Sequence, residues 1–249
     1  TCDGRPAPII QDQYRASVGP LVLQHIAQAG VQQWEFVTRP IFGPCGYFAR
    51  HEVTRVLDVS MPTATLWRNV RRSYHALIHR AERGYQIEVG RTDRLWRGYR
   101  RVHQAAATRP RLDETYRAQE QWLVEQRALV AVAYRRTTPL AAVAASYVLI
   151  DKGWAYYASG PSLALDVQHA LQWAIIKALR DHGVRYYELG YLPAQPSEKD
   201  RNIQMFKQGF GGQDLPVEVS DVRISAIDGS LSAGDQDARP QPDAVEGAR

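Results

Sequence analysis

The chain has 249 residues, of which 45% are hydrophobic and 10% aromatic, and it carries a formal net charge of +5. This composition is ordinary for a folded globular protein with one large or two small domains. No apolar run approaches the roughly 18 residues that a membrane-spanning helix needs. Two cysteines exclude a disulfide framework and favour a reducing, cytoplasmic setting, and the seven histidines lack the spacing of metal ligands.

The charges are distributed unevenly. Residues 1–110 carry 16 Lys or Arg and 8 Asp or Glu, a net charge of +8, whereas residues 111–249 carry 15 and 18, a net charge of −3. A positive first half is suited to an anionic ligand such as RNA, a nucleotide-linked sugar or a phosphorylated lipid. It is equally explained by a general preference for arginine, since the chain has 27 Arg and 4 Lys.

The first predicted elements are a helix over residues 17–30, a strand over 34–38 and a longer strand or hairpin arm over 47–59. A helix over 60–84 follows, with Ser60 before its first turn. One face of that helix is apolar, and the opposite face carries Arg68, Arg72, His75, His79 and Arg83. This second face is either a ridge that binds anions or the solvated back of the helix.

The remaining pattern predicts a mixed α/β sheet. A strand over 86–89 precedes helices over 92–107 and 113–125, and the later elements are strands over 129–136, 140–150 and 154–159, a helix over 167–182, a strand over 185–190, a polar loop over 193–200, and strands over 216–219 and 222–227. This order describes an antiparallel meander that passes through a crossover helix into a parallel strand. Residues 229–249 have few apolar side chains and predict a disordered tail.

The segment around Lys207 carries the most informative chemistry. Lys207 lies between two aromatic residues and precedes glycines at 209, 211 and 212, which let the backbone approach a ligand closely. An ammonium that is partly removed from water can stabilise a developing oxyanion. Glu188 is a candidate general base or a structural partner of an arginine, and Asp166 is a candidate acid or a helix cap.

The strand over 154–159 and its neighbours offer further candidates. Tyr156 and Tyr157 must lie on opposite faces of their strand, so only one can face a cleft. Tyr191 follows a strand end, where ligand-facing residues of α/β sheets gather. Backbone N–H groups of residues 160–167, between a strand and a helix, could bind a carbonyl or a phosphate.

Residues 129–212 resemble the second half of the Fem family, aminoacyltransferases of the peptidoglycan bridge that are built from two GNAT-like subdomains. The segments that carry the resemblance are WAYYASG at 154–160, LQWAIIKA at 171–178, GVRYYELG at 183–190, Lys199 with Ile203, and FKQGFGG at 206–212. The last motif is the most specific. The helix over 60–84 with the strand over 86–89 also resembles the region that joins the two subdomains.

The resemblance implies a GNAT-like mixed sheet flanked by helices. It assigns residues 1–89 to a truncated or reduced first subdomain, residues 90–228 to a complete catalytic second subdomain and residues 229–249 to the tail. It implies that Lys207 stabilises the oxyanion formed when an amine attacks the ester of an aminoacyl-tRNA, with Phe206 packed against it. It also implies that Tyr157, favoured over Tyr156, reaches the substrate. The further expected binding residues, which are not matched to the family one by one, are Ser159, Glu188, Tyr191, Arg68 and Arg72.

The chain also departs from the family. No coiled-coil arm lies between the helices of residues 92–127, and the anion-binding residues of the first subdomain cannot be matched one by one.

The expected co-substrate is aminoacyl-tRNA or acyl-CoA, with no tightly bound cofactor and no metal. The expected partner is an amine on a cell-wall precursor, a sugar or a peptide, and contact with a membrane surface stays open. Against acyl-CoA, residues 160–167 lack the glycine-rich pattern that binds a CoA pyrophosphate. A third alternative is a non-catalytic protein that binds RNA or another anion.

Overall fold

A computed structural model of the chain describes residues 33–38, 50–107, 111–164, 167–192, 196–224 and 231–233. The larger of two compact units spans Val53–Leu215, and the described strands outside it belong to a smaller unit. The helix predicted over residues 17–30 and Asp166 lie outside the described residues.

The smaller unit contains antiparallel strands. Strand β1 (Gln33–Thr38) pairs with residues 218–223 of strand β8 (Gln213–Ile224), and β8 also pairs with the short strand β9 (Leu231–Ala233). The strand predicted over 34–38 is confirmed. The two strands predicted over 216–219 and 222–227 are one strand, and β9 lies within the segment predicted to be disordered.

The larger unit alternates helices and strands. Its remaining elements are β2 (Arg50–Asp58), α1 (Thr63–Asn69), α2 (Arg72–Gly84), β3 (Tyr85–Gly90), α3 (Asp93–Ala106), α4 (Asp113–Val124), β4 (Ala128–Arg135), β5 (Thr138–Asp151), β6 (Trp154–Ser159), α5 (Val167–Asp181), β7 (Tyr186–Leu192) and α6 (Glu198–Gln208). Residues 60–89, assigned above to the first subdomain, lie in the same unit as residues 90–215.

The sheet of the larger unit has the strand order β2-β7-β6-β5-β4-β3. Strands β3 to β6 form an antiparallel meander, and α5 then crosses over to β7, which pairs with β6 in parallel. Residues 53–58 of β2 pair antiparallel with β7. The predicted mixed sheet with helices beside it, including the parallel crossover, is confirmed. The carboxyl ends of β6 and β7 therefore meet at one edge of the sheet.

Each face of this sheet packs against its own helices. On the first face, Leu129, Ala131 and Leu189 share a buried cluster with residues of α1, α2 and α5. On the second face, Val130, Val132 and Tyr147 pack against α3 and α4. The alternation of neighbouring residues between the two clusters is the period of two expected of strands that are buried on both faces.

The single helix predicted over residues 60–84 is interrupted. Helix α1 ends at Asn69, Val70 and Arg71 have extended backbone, and α2 begins at Arg72. The Arg71 amide donates to the carbonyl of Gly209 at 2.7 Å, so a tertiary hydrogen bond replaces helical continuity. The apolar face was predicted correctly, because Val70, Tyr74 and Ile78 are buried.

Candidate active site

Helix α6 positions Lys207 at the edge of the larger unit's sheet. The helix begins with a capping box in which the Ser197 hydroxyl accepts from the Asp200 amide and the Asp200 carboxylate accepts from the Ser197 amide. Lys207 lies in its last turn. The residue pattern predicts only a polar loop over 193–200 and no helix here. The signal that could have revealed the helix is the Ser197-x-x-Asp200 pattern before Ile203, Phe206 and Lys207.

The Lys207 ammonium lies over the end of β7. Its Nζ donates a hydrogen bond to the Tyr191 carbonyl at 3.0 Å. A Cβ atom added to Gly190 would lie 3.3 Å from this Nζ and 3.7 Å from the Tyr156 hydroxyl. Gly190 has a φ of +87°, which favours glycine, and the missing side chain leaves room for the ammonium and the phenol above one point of the backbone.

Burial changes the acidity of Lys207. Desolvation lowers the pKa of the ammonium to about 8, while the charges of Glu188 and Asp200 oppose this decrease. Because this pKa still lies above neutral pH, most Lys207 side chains carry a positive charge at pH 7. The site thus holds a cation that is partly removed from water, where its field is stronger than in solvent.

Glu188 is held beside this cation by the strand pairing. Tyr156 of β6 lies opposite Glu188 of β7, and Thr54 of β2 donates its hydroxyl hydrogen to Glu188 Oε1 at 2.8 Å. Thr54 is buried, whereas Glu188 is partly exposed. The hydrogen bond orients the carboxylate, whose negative charge acts on the ammonium.

Phe206 packs away from Lys207. Its ring makes edge contacts with His169 and Phe210, at centroid distances of 5.1 and 5.3 Å, and lies 6.5 Å from Tyr74. Within the described part of the chain, Lys207 makes no cation–π contact. Consecutive residues of a helix point in directions about 100° apart, so Phe206 anchors the helix while Lys207 reaches the strand end.

The glycines after Lys207 are required by the protein itself. A Cβ on Gly209 would clash with the Tyr74 ring, and a Cβ on Gly212 would clash with the Val56 carbonyl. Gly211 has a φ of +82°, and a Cβ added there would lie 3.0 Å from the Asn69 Cβ. The interpretation of this cluster as a place for close approach of a ligand is therefore corrected. The motif seats α6 against β2 and the break between α1 and α2.

Of the two adjacent tyrosines, the structure brings Tyr156 next to Lys207. Tyr157 packs on the opposite face, against the cluster that contains α5, and its hydroxyl lies over Gly160. Burial raises the pKa of Tyr157 to about 12, opposed by hydrogen bonds with the side chains of Ser146 and Gln172. The alternation along β6 predicted the opposite faces, but the pattern gave no means of deciding which face carries the site.

The other predicted binding residues lie at different distances from this centre. Tyr191 contributes its carbonyl to Lys207, and Ser159 accepts a hydrogen bond from Tyr99 at 3.2 Å. Arg68 and Arg72 are exposed near the break between α1 and α2, with Arg68 donating to Thr65. Tyr156, which was less favoured than Tyr157, is the tyrosine beside Lys207, and Thr54, which no sequence pattern indicates, donates to Glu188.

Two further observations concern ligands and membranes. Within residues 50–107, 111–164, 167–192 and 196–217, no group of three His, Cys, Asp or Glu side chains is arranged to hold a metal ion. None of the described helices is long and apolar enough to cross a membrane.

Comparisons with known proteins give the same architecture. The structure is similar to that of FemX, with a TM-score of 0.60 and 12% identity over 85% of this chain and 78% of FemX. It is similar to L-PGS from Bacillus licheniformis, with a TM-score of 0.56 and 14% identity over 82% of this chain and 73% of L-PGS. The chain therefore shares the fold of these two structures. No protein-family model and no curated protein sequence matches it. The resemblance inferred from residues 129–212 is thus confirmed at the level of the fold.

Proposed function

We propose that the chain is an acyltransferase that moves an aminoacyl group from aminoacyl-tRNA to an amine on a cell-wall precursor or a small peptide. The observation that carries this proposal is the partly buried Lys207 ammonium over Gly190, next to Glu188. The likeness of the fold to FemX supports the same reaction class. An activated ester needs no metal or bound cofactor, because positioning and charge stabilisation suffice.

The proposed reaction exchanges an ester for an amide. The nitrogen of the acceptor amine attacks the ester carbonyl carbon, and the carbonyl oxygen becomes an oxyanion that the Lys207 ammonium stabilises. The C–N bond forms, and the bond from carbon to the ribose oxygen of the tRNA breaks. The proton released by the amine passes to that ribose oxygen, with Glu188 as the carboxylate that carries it.

The surroundings of Lys207 suit this role. The Tyr191 carbonyl accepts one of the three ammonium hydrogens, so two remain for a substrate oxygen and for neighbouring acceptors. The Tyr156 hydroxyl, on the same side of Gly190, is a second group that can donate to the substrate. The absence of a side chain at Gly190 leaves room for both of these groups at one point of the strand.

Binding of tRNA requires positive charge at a distance from the reacting atoms. We assign this role to Arg68 and Arg72, because both guanidinium groups are exposed and neither forms an ion pair within the described residues. The excess of positive charge in residues 1–110 supports this assignment.

Use of acyl-CoA is the alternative within the same fold. Two N–H groups of the loop between β6 and α5 are already engaged, since Leu163 donates to the Val143 carbonyl and Ala164 donates to the Ser162 hydroxyl. These donors are therefore less available to a pyrophosphate, which favours aminoacyl-tRNA as the donor.

A donor screen tests the proposal. The purified chain is incubated with a mixture of aminoacyl-tRNAs or with a mixture of acyl-CoA esters, each with a panel of amines, and products are found by their mass. We expect products that carry an added amino acid, formed only with aminoacyl-tRNA and sensitive to prior deacylation of the tRNA. Products formed only from acyl-CoA would establish the alternative, and no product from either donor would contradict both.

A further inference from the structure

A second group of polar side chains lies at the same edge of the sheet as Lys207. The register between β5 and β6 shifts by one residue. Val148 pairs with Tyr157, whereas the preceding residue, Tyr147, pairs with Ser159, so Ala158 is left out of the pairing. This bulge turns Ser159 toward the face that is covered by α3 and α4. The buried Tyr99 of α3 donates its hydroxyl hydrogen to the Ser159 hydroxyl at 3.2 Å.

Arg111 completes this group, which we call the Arg111 cluster (Tyr99, Ser159 and Arg111). An Arg111 guanidinium N–H donates to the Tyr99 hydroxyl at 3.2 Å. Beside the larger effect of burial, the positive charge of Arg111 acts to lower the pKa values of Tyr99, Tyr147 and His103. The guanidinium therefore points between α3 and the sheet. Arg111 itself is only partly buried and can still be reached from solvent.

The charge of Arg111 has no counterpart in the described structure. The nearest acidic side chain along the chain, Asp113, is paired with Arg100 at 3.0 Å. Of the donors on the Arg111 guanidinium, the described residues use one, and they use it for a neutral hydroxyl. A partly buried cation without an anionic partner carries a cost in free energy, which a bound anion removes.

The cluster contains no other charge at neutral pH. Burial raises the pKa of Tyr99, and burial followed by the charge of Arg111 lowers the pKa of His103, so both side chains are uncharged near pH 7. Arg111 is therefore the group in this cluster that recognises charge. Its planar fork of N–H groups fits the two oxygens of a carboxylate.

Ser159 of the cluster and Gly190 of the proposed reaction centre lie beyond the same pair of strand residues. The last paired residues of β6 and β7 are Tyr156 and Glu188. Ser159 lies three residues beyond this pair on one strand and Gly190 lies two residues beyond it on the other, which are distances of about 7–10 Å along the strands. A substrate with its amine at Lys207 can thus extend toward Arg111.

We propose that Arg111 binds a carboxylate of the amine-bearing acceptor and so selects acceptors of the amino-acid or peptide type. This inference rests on the proposed function, since it names a binding residue for the acceptor of that reaction. The Tyr99 hydroxyl, which donates to Ser159, holds the guanidinium in place, and Arg111 is a specificity-determining residue.

Equilibrium binding tests this inference without a donor. The dipeptide L-alanyl-L-alanine and its C-terminal amide are titrated into the chain by calorimetry or by NMR shift perturbation. We expect the dipeptide to bind about 10- to 100-fold more tightly than the amide, the effect of a charge-assisted pair of hydrogen bonds. In Arg111→Gln this preference disappears. The matched control is Arg117→Gln, since Arg117 lies on α4 with a side chain 73% exposed and paired with Glu114.

The outcomes separate this inference from the proposed function. Lys207→Met should lose transfer and keep the preference for the carboxylate, because it leaves Arg111 in place. Equal binding of dipeptide and amide by the unaltered chain, no saturable binding of either, or an unchanged preference in Arg111→Gln would each overturn the inference. It is also overturned if inorganic phosphate binds in an Arg111-dependent manner while the dipeptide does not, because the site would then take phosphate.

Discussion

The Lys207 ammonium lies next to Gly190, at a place where any larger residue would put its side chain. The Nζ atom lies 3.3 Å from the point where a Cβ on Gly190 would stand. The contact joins the last turn of α6 to the end of β7, and it places the cation where the strand edge is open. Most of the predictions below depend on this contact or on the elements that support it.

Gly190→Ala should lower the transfer activity by more than its loss in free energy of unfolding can explain. The positive φ of +87° costs an alanine about 1–2 kcal/mol, and the new methyl group would lie 3.3 Å from Nζ, so the ammonium must shift by a few tenths of an ångström. Gly153→Ala is the matched control, because Gly153 has a φ of +82° with no atom within 4 Å of its Cβ. Urea denaturation should give similar losses for both variants, and only Gly190→Ala should lose activity. Equal activity of the two variants would contradict the proposed role of the contact.

The pKa of Lys207 can be measured directly, because the chain has four lysines. After labelling with lysine that carries ¹³C at the ε carbon, the signal that is absent from Lys207→Met should titrate with a midpoint of about 8. If the charged form stabilises the oxyanion, transfer at saturating acceptor should fall above this pH. A midpoint near the ordinary value of a lysine would show that the ammonium is fully hydrated.

The lowered pKa of Lys207 makes the free energy of unfolding depend on pH. The folded chain binds the Lys207 proton less tightly than the unfolded chain, whose lysine has a pKa of 10.5. The resulting penalty on the folded state is fully present below pH 8 and is relieved as the pH rises from about 8 to about 10.5. Relative to Lys207→Met, the unaltered chain should therefore gain stability over this interval.

Gly209→Ala should destabilise the chain, because a methyl group there meets the ring of Tyr74. Overpacking of this kind typically costs about 1–3 kcal/mol. Gly84→Ala serves as the comparison, since nothing lies within 4 Å of its Cβ and alanine is the better helix former. A Gly209→Ala variant with unchanged denaturation and lost activity would restore the interpretation of this glycine as a ligand contact.

Charge reversal of Arg68 and Arg72 should weaken binding of aminoacyl-tRNA without changing the maximal rate. Each phosphate contact that is lost should reduce the slope of log affinity against log salt by roughly 0.7–0.9. The double variant Arg117→Glu, Arg127→Glu alters the net charge equally at exposed positions of another helix and its following turn. If both double variants bind tRNA alike, the face that carries Arg68 and Arg72 is merely solvated.

Local patterns were sufficient for most of the sheet. The strand predicted over 154–159 coincides with β6. The helix predicted over 92–107 is one residue longer than α3 at each end, and the helix predicted over 113–125 is one residue longer than α4 at its carboxyl end. These elements carry a period of 2 or 3.6 in their own residues, so no distant contact is needed to recognise them. The parallel pairing of β6 with β7 followed from the intervening helix.

Features that depend on contacts between residues far apart in the chain could not be predicted from the sequence. The break between α1 and α2 depends on a hydrogen bond from Arg71 to Gly209, and the face of Ser159 depends on the bulge against β5. The partial burial of the Lys207 ammonium agrees with the sequence pattern, but Tyr156 beside it and Thr54 beside Glu188 come from β6 and β2. Pairing between remote strands leaves no mark in the spacing of residues along one segment.

In the proposed reaction, the Lys207 ammonium stabilises the transition state of aminoacyl transfer. The most direct measurement is the single-turnover rate of Lys207→Met with aminoacyl-tRNA and a saturating amine, beside Lys199→Met, whose exposed lysine lies in the first turn of the same helix. We predict a loss of roughly 100- to 1,000-fold in Lys207→Met with the fold intact by circular dichroism, and an unchanged rate in Lys199→Met. A folded Lys207→Met variant that transfers at the unaltered rate would contradict the account.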